Sequence, residues 1–369
     1  MSPPTSPEGA LPLLEANSMH DPSTDRDLIA SMRSRILDAV APILDGAARC
    51  ALVGYPNHNN SGDNAIWLGE LELLASLGVD VAYQCDDVSY NDRDLADVLP
   101  DGPILLHGGG NYGDLWPEQQ ALRERVMRDF PARHVVQLPQ TVNFVDPRTA
   151  DAHRQFLQGR DRAPSMLCRD GVSALFARER LGIDAVLCPD SAFFLNLAVT
   201  EHPAVDVVVN SRLDHESVGE GPLTFPGFSV EHSDWLLSPG ARSVRRALTV
   251  RSRTTARSLA ARTTRTGLVW RGVRRIPMFG SRRLAERRVA HACRLLSRGR
   301  VVVTDRLHGH ILSILLGIPH IIRDTQHHKV ANFHETFTHR SRTTFQATGS
   351  ADVVALVQRL LDEVTDQRC

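Results

Sequence analysis

Arg306 and His308 are the two side chains whose surroundings in this 369-residue sequence most directly imply chemistry. They follow the β-branched run VVVT (301–304) and precede ILSILL (311–316), which Gly317 and Pro319 close before a second apolar run. That order reads as strand, helix, strand: one βαβ unit. Thr304 and Asp305 stand where a helix N-cap belongs, so the backbone N–H groups after them should leave the carboxyl end of the strand as free donors, reinforced by the helix dipole. Such a corner stabilises an anion. An arginine against a buried helix start needs an anionic partner, either an internal carboxylate or a ligand phosphate or carboxylate. A histidine there can cap, pack or hand over a proton. A metal pair with His310 is disfavoured, because positions i and i+2 face away from each other on a helix.

Three further stretches place polar groups after apolar strands. The loop YPNHNNSGD (55–63) follows CALVG (50–54) and leads into a helix ended by Gly78, which puts Asn57, His58, Asn60, Gly62 and Asp63 where open α/β sheets bind ligands. Asp63 is either an N-cap beside turn-forming asparagines or a ligand contact, and the loop carries no dinucleotide or P-loop fingerprint. PILLHGGGNYGDLW (103–116) runs a buried strand into Gly108, Gly109, Gly110 and Asn111, where backbone can approach a ligand closely; Pro117 then suits the first position of a helix. Gln137 and Gln140 stand at the end of HVVQLPQTV (134–142), and Arg169 directly follows SMLC, where it either pairs with Asp170 or Asp190 or holds a ligand.

The elements that must position these groups alternate strand and helix throughout. The series starts again at VDVVVNSR (205–212), which puts a boundary near residue 200. The expected fold class is α/β, two Rossmann-like doubly wound domains facing a cleft: a disordered tail over 1–26, an N-terminal domain over 27–200 that opens on a helix at 27–45, and a C-terminal domain over 201–369. In that arrangement the loop at 55–63, the glycine turn, Arg169 and the Arg306/His308 corner converge. ADVVALVQRLLDEVT (351–365) reads as an amphipathic closing helix.

Composition narrows the class. At 42% hydrophobic residues the chain can bury a large core, and it has no 18-residue apolar run and no signal-peptide pattern near its first residue, which points to the cytoplasm. Its six cysteines are scattered without CxxC spacing and read as reduced, mostly buried thiols. The formal charge of −1 hides an insertion, 240–285, in which thirteen arginines fall with no Asp or Glu between residues 241 and 285. The only lysine is Lys329.

Taken together, TDRLHGHILSILLGIP, GYPNHNNSGDNAI, GGGNYGD, CRDGVS and PDSAFF resemble the polysaccharide pyruvyl transferase family, in that family's order and from about residue 51 to 333. The resemblance implies a GT-B-like two-domain fold and transfer of the enolpyruvyl-derived group of phosphoenolpyruvate to two sugar hydroxyls, giving a pyruvate ketal and phosphate in exopolysaccharide or cell-surface glycan synthesis. No cofactor and no metal is implied; phosphoenolpyruvate is the donor substrate. By the same resemblance Arg306, Leu307, His308 and Gly309 belong to the donor-holding motif, Arg169 and Lys329 contact the donor, and His308 is the general acid. Asp63, or His58, is the base candidate, and Asn57, His58, Asn60, Gly109, Gly110 and Asn111 line the acceptor side or the cleft. HHKV at 327–330 departs from the asparagine–lysine pair expected there at His328, and Lys329 carries over.

A compact dianion with phosphate and carboxylate calls for two arginine-class partners and several N–H donors, which Arg306, Arg169 and the helix start supply. The saccharide acceptor can be lipid-linked, and the arginines with Leu248, Leu259, Leu268, Val269 and Trp270 fit peripheral contact with an anionic membrane through 241–285. No nucleic-acid-binding motif accompanies them. The competing readings are a GT-B glycosyltransferase using a nucleotide sugar and a non-catalytic saccharide-binding relative.

Overall fold

The computed structural model describes residues 22–198, 202–212, 223–233, 235, 280–324 and 328–366. The tail before residue 22 and all but the last residues of the arginine-rich insertion lie outside the described residues. The protein is α/β, and its twelve described strands form two sheets in which every pairing is parallel.

The first sheet holds β1 (Arg49–Val53), β2 (Asp80–Cys85), β3 (Ile104–Leu106), β4 (Gly109–Gly113), β5 (Val135–Asn143), β6 (Ser165–Cys168) and β7 (Val186–Leu187), in the order β2-β1-β3-β5-β6-β7 with β4 paired to β5. The second holds β8 (Val205–Asn210), β9 (Val230–Ser233), β10 (Gly299–Thr304), β11 (His320–Ile322) and β12 (Thr344–Gln346), in the order β12-β11-β10-β8-β9. In both sheets the second strand lies on one side of the first and all later ones on the other. The direction of winding therefore reverses between β1 and β3, and again between β8 and β10. A crevice opens at the carboxyl ends of strands at such a reversal.

The helices are α1 (Pro22–Leu44), α2 (Ser61–Ser76), α3 (Asp92–Val98), α4 (Pro117–Asp129), α5 (Pro147–Gln158), α6 (Gly171–Phe176), α7 (Ser281–Ser297), α8 (Leu307–Leu316), α9 (Lys329–Phe333) and α10 (Ser350–Asp366). Alternation along each strand splits the core. Cys50 and Leu52 of β1 join one apolar cluster while Ala51 and Val53 join another; Val302 of β10 shares the first of these, and Val301 and Val303 pack under α10. That first cluster runs from the first sheet through α2, α1, α7 and α8 to the second. Gly69 allows this close passage, since a Cβ there would lie 2.0 Å from the Ser191 carbonyl oxygen.

α1 begins five residues before the expected 27, because Pro22 suits a first helical turn and Asp25, buried, accepts from the Arg342 and Thr343 backbone N–H groups at 3.1 and 3.3 Å. The glycine stretch at 109–113, read as a turn, is a short strand laid on the outer half of β5. The five described cysteines are buried free thiols, and burial pushes the Cys50 thiol up to about 12.

Candidate active site

The carboxyl ends of β6 and β10 and the first turn of α2 meet at one buried carboxylate. Asp190, fully buried in the loop after β7, accepts from Arg169 Nη1 at 2.6 Å and lies 3.4 Å from His308 Nε2. Burial favours its neutral form, but the adjoining His308 and Arg169 outweigh that and hold the carboxyl well below the usual range. Of the two partners left open for Arg169, the structure selects Asp190. Asp170 instead caps α6, accepting from Ser173 N–H at 2.7 Å and Thr141 Oγ1 at 2.9 Å. Thr141 Oγ1 also accepts from Arg169 Nε at 3.0 Å, so the guanidinium is held on two edges.

His308 is the second residue of α8, with its imidazole against Gly62. A Cβ on Gly62 would stand 2.5 Å from Nδ1, a distance no real side chain tolerates. The cap differs from expectation: Arg306 is the N-cap, and Thr304 Oγ1 accepts its N–H at 3.1 Å while Asp305 accepts the Arg212 N–H at 2.9 Å. Leu307 enters the core. Gly309 lets α8 lie on β10, because its Cβ would meet Thr304 Oγ1 at 2.3 Å. The Arg306 guanidinium, buried, stands 5.7 Å over the Trp235 ring.

The glycine strand closes the other side. A Cβ on Gly110 would lie 2.9 Å from Arg169 Nη2 and 3.8 Å from Lys329 Nζ, and one on Gly109 would lie 3.8 Å from Asp63 Oδ1. Lys329 opens α9 after His328, whose φ of 51° is left-handed; His328 itself turns outward to Asp324 at 2.5 Å. The structure thus gathers Arg169 and His308 on Asp190, with Gly62 and Asp63 beside His308 and Gly109, Gly110 and Lys329 beside Arg169 and Asp63.

The loop residues are also held by bonds within the chain. Asn60, not Asp63, caps α2, accepting from Gly62 N–H at 3.1 Å and donating to Asp63 Oδ2 at 2.9 Å. Asp63 sits one turn in, 3.4 Å from His58 Nε2. Burial opposes its charge, yet His58, His308, His107 and Arg169 together keep its carboxyl below the ordinary range. The Asn57 N–H turns back to the Tyr55 carbonyl at 2.8 Å. Asn111 Oδ1 accepts from Arg123 Nη2 at 3.0 Å and Gln140 Nε2 at 2.9 Å, and Gln137 Oε1 accepts from Arg123 Nε at 2.7 Å. Arg123 is buried among these neutral amides, and burial draws its guanidinium down to about 10.

Two members of the cluster were not singled out from the sequence. His107, at the end of β3, holds Glu70 Oε2 through Nδ1 at 2.8 Å, and Glu70 Oε1 accepts the Gly108 N–H at 2.7 Å. The available signal was an acid inside the apolar run of α2, but Glu70 and Glu72 look alike until the helix is phased. No group of three or more His, Cys, Asp and Glu side chains with metal-holding geometry occurs among the described residues. None of their helices is long and apolar enough to cross a membrane.

Residues 60–327 match the family model for polysaccharide pyruvyl transferase. Pyruvyl transferase 1 of Schizosaccharomyces pombe is 32% identical over 317 residues, 80% of this chain and 71% of that protein. EpsO of Bacillus subtilis is 25% identical over 307 residues, 82% and 89% of the two chains. A solved structure of an uncharacterised protein from Klebsiella pneumoniae superposes with a TM-score of 0.53 at 16% identity, covering 90% of this chain and all of that one, which extends the likeness of fold.

Proposed function

The chain belongs to the polysaccharide pyruvyl transferase family, and from that premise we propose that it moves the enolpyruvyl-derived group of phosphoenolpyruvate onto two hydroxyls of a saccharide in exopolysaccharide or cell-surface glycan synthesis. The observation that carries this reading is the meeting of Arg169 and His308 at Asp190 beside the N-terminus of α8, with Lys329 next to Arg169 across Gly110. A three-carbon dianion needs such a cationic, donor-rich corner, and a nucleotide sugar needs in addition a surface for its base. Arg169, Arg306 and Lys329 hold the phosphate and carboxylate, with Leu307 and Gly309 shaping the motif and Gly109 and Gly110 letting backbone approach.

In this mechanism His308 protonates the methylene carbon, which makes the neighbouring carbon electrophilic. A sugar hydroxyl, its proton taken by Asp63 or relayed through His58, adds to that carbon. The second hydroxyl then closes the ketal as phosphate departs. Asn57, Asn60 and Asn111 shape the acceptor side. We further divide the chain near residue 200 into two units facing a cleft, and assign the basic stretch 241–285 to peripheral contact with the membrane that carries a lipid-linked acceptor.

The test is release of phosphate from phosphoenolpyruvate, with ketal formation on cell-surface glycan followed by mass spectrometry. Turnover that depends on both substrates and is lost in His308→Ala supports the reading. Transfer from a nucleotide sugar in place of phosphoenolpyruvate overturns it.

A further inference from the structure

His107 is a buried imidazole with one nitrogen engaged and one not. Nδ1 is fixed 2.8 Å from Glu70 Oε2, the ring stands edge-on to Trp67 at 5.6 Å, and its Cβ is 3.2 Å from where a Cβ on Gly54 would be. The ring therefore has one orientation. Its Nε2 is shielded from solvent and meets no hydrogen-bond partner. An orphaned buried donor is costly and is retained where a ligand or a reaction uses it.

The surroundings tie His107 to the corner at Asp190. His107 senses the charges of Glu70 and Asp63 from α2, of Asp190 from the loop after β7, and of His58 from the loop before α2. Asp63 and Asp190 are also the carboxylates that border His308 and Arg169. His107 thus stands at the switch point of the first sheet as His308 stands beside that of the second. Burial works against its charge, but the Glu70 carboxylate prevails and raises its pKa, so it keeps a proton to give.

We propose that His107, aligned by Glu70, is a further catalytic residue that binds the phosphate of the donor through Nε2–H and protonates that phosphate as it leaves. The proposal rests on the phosphoenolpyruvate reading above. In the closing step the second hydroxyl forms its O–C2 bond while the C2–O bond to phosphorus breaks, the electron pair going to the departing oxygen. That oxygen takes the Nε2 proton of His107, and the hydroxyl proton restores it. The proton of the first hydroxyl replaces the one His308 gave to C3, so two hydroxyl protons end on one methyl carbon and one phosphate.

The experiment titrates phosphoenolpyruvate and pyruvate separately into the full chain, wild type, His107→Gln and Glu70→Gln, across pH 6 to 9. The expected result is phosphoenolpyruvate affinity at least tenfold weaker in His107→Gln with pyruvate affinity unchanged. In Glu70→Gln the pH above which phosphoenolpyruvate affinity declines should move lower, a readout that a loss of stability does not produce. Equal phosphoenolpyruvate affinity in His107→Gln and wild type, or an unmoved pH profile in Glu70→Gln, overturns the role of His107 and leaves the donor assignment standing. Absence of phosphoenolpyruvate binding to the wild type overturns the donor assignment and the role built on it.

Discussion

Two histidines two residues apart on α8 live in opposite environments. His308 looks out of the helix start at Asp190, with Arg169 on the same carboxylate and its own Nε2 3.4 Å from that carboxylate, an ion-pair approach without the geometry of a full hydrogen bond. His310 looks back into the core, its Nδ1 2.7 Å from His320 Nε2 and its Nε2 2.7 Å from Thr338 Oγ1, and His320 Nδ1 lies 2.9 Å from the Ile318 carbonyl. Because that carbonyl can only accept, the chain runs one way: Thr338 donates to His310, His310 to His320, and His320 to Ile318. Every nitrogen is satisfied with both rings neutral. Burial lowers the pKa of His310 well below its ordinary value and that of His320 to about 4. A histidine with all its hydrogen bonds made is scaffold; one facing fixed charges with a bond to spare is available for chemistry.

Exchanging the two roles breaks this contrast most severely. His308→Gln should lower kcat by roughly 10²- to 10⁴-fold, the range for loss of a general acid, with an unchanged melting temperature. His310→Ala should do the reverse, costing about 2–4 kcal/mol in urea denaturation while leaving the kcat of the folded protein within a few-fold.

Arg169→Ala joins the two kinds of effect, because it removes the proposed donor contact and strands Asp190 as a buried charge. Roughly 3–5 kcal/mol of stability should go with it, and adding Asp190→Asn should restore stability but not phosphoenolpyruvate binding.

The back of α8 also sets an acid limit. His320 titrates near 4 in the folded protein and near 6.5 unfolded, so between those values the unfolded chain holds the extra proton. Its contribution is complete above pH 6.5 and is lost as pH falls through 4, on the order of 3 kcal/mol from this ring. Denaturant midpoints measured at pH 7.5, 5.5 and 4.5 should fall in that order, and His320→Gln should flatten the decline.

The smallest expected effects come from two glycines. Gly62→Ala presses on the His308 ring, and should cut kcat about tenfold with little change in unfolding. Gly309→Ala presses on Thr304, and should cost about 1–3 kcal/mol with kcat retained.

The parts of this architecture written into the sequence were those with local causes. VVVT followed by an apolar helix and Gly317 specifies a βαβ unit, and Gly317 does end α8 with a φ of 66°. The strands at 50–54, 134–142 and 205–212 follow from their apolar runs. What could not be read is what the chain supplies from a distance. Arg169 could equally have met Asp170, its neighbour in the chain, and only the β6–β7 pairing brings Asp190 to it. Asn60 displaced Asp63 as the cap of α2 because both residue types cap equally well at that spacing. The β9 and β12 edge strands are too short and polar to announce themselves. Glu70 and His107, 37 residues apart, meet only because α2 packs across the end of β3.

On the proposed function, the corner joining Arg169, Asp190 and His308 is a site for a compact dianion. The direct test is calorimetric titration of phosphoenolpyruvate, and separately of UDP-sugars, into wild type and Arg306→Ala. Binding of phosphoenolpyruvate that the substitution abolishes, with no heat from the UDP-sugars, is the predicted result. Binding of a UDP-sugar with none of phosphoenolpyruvate would contradict it and make the same corner a diphosphate site.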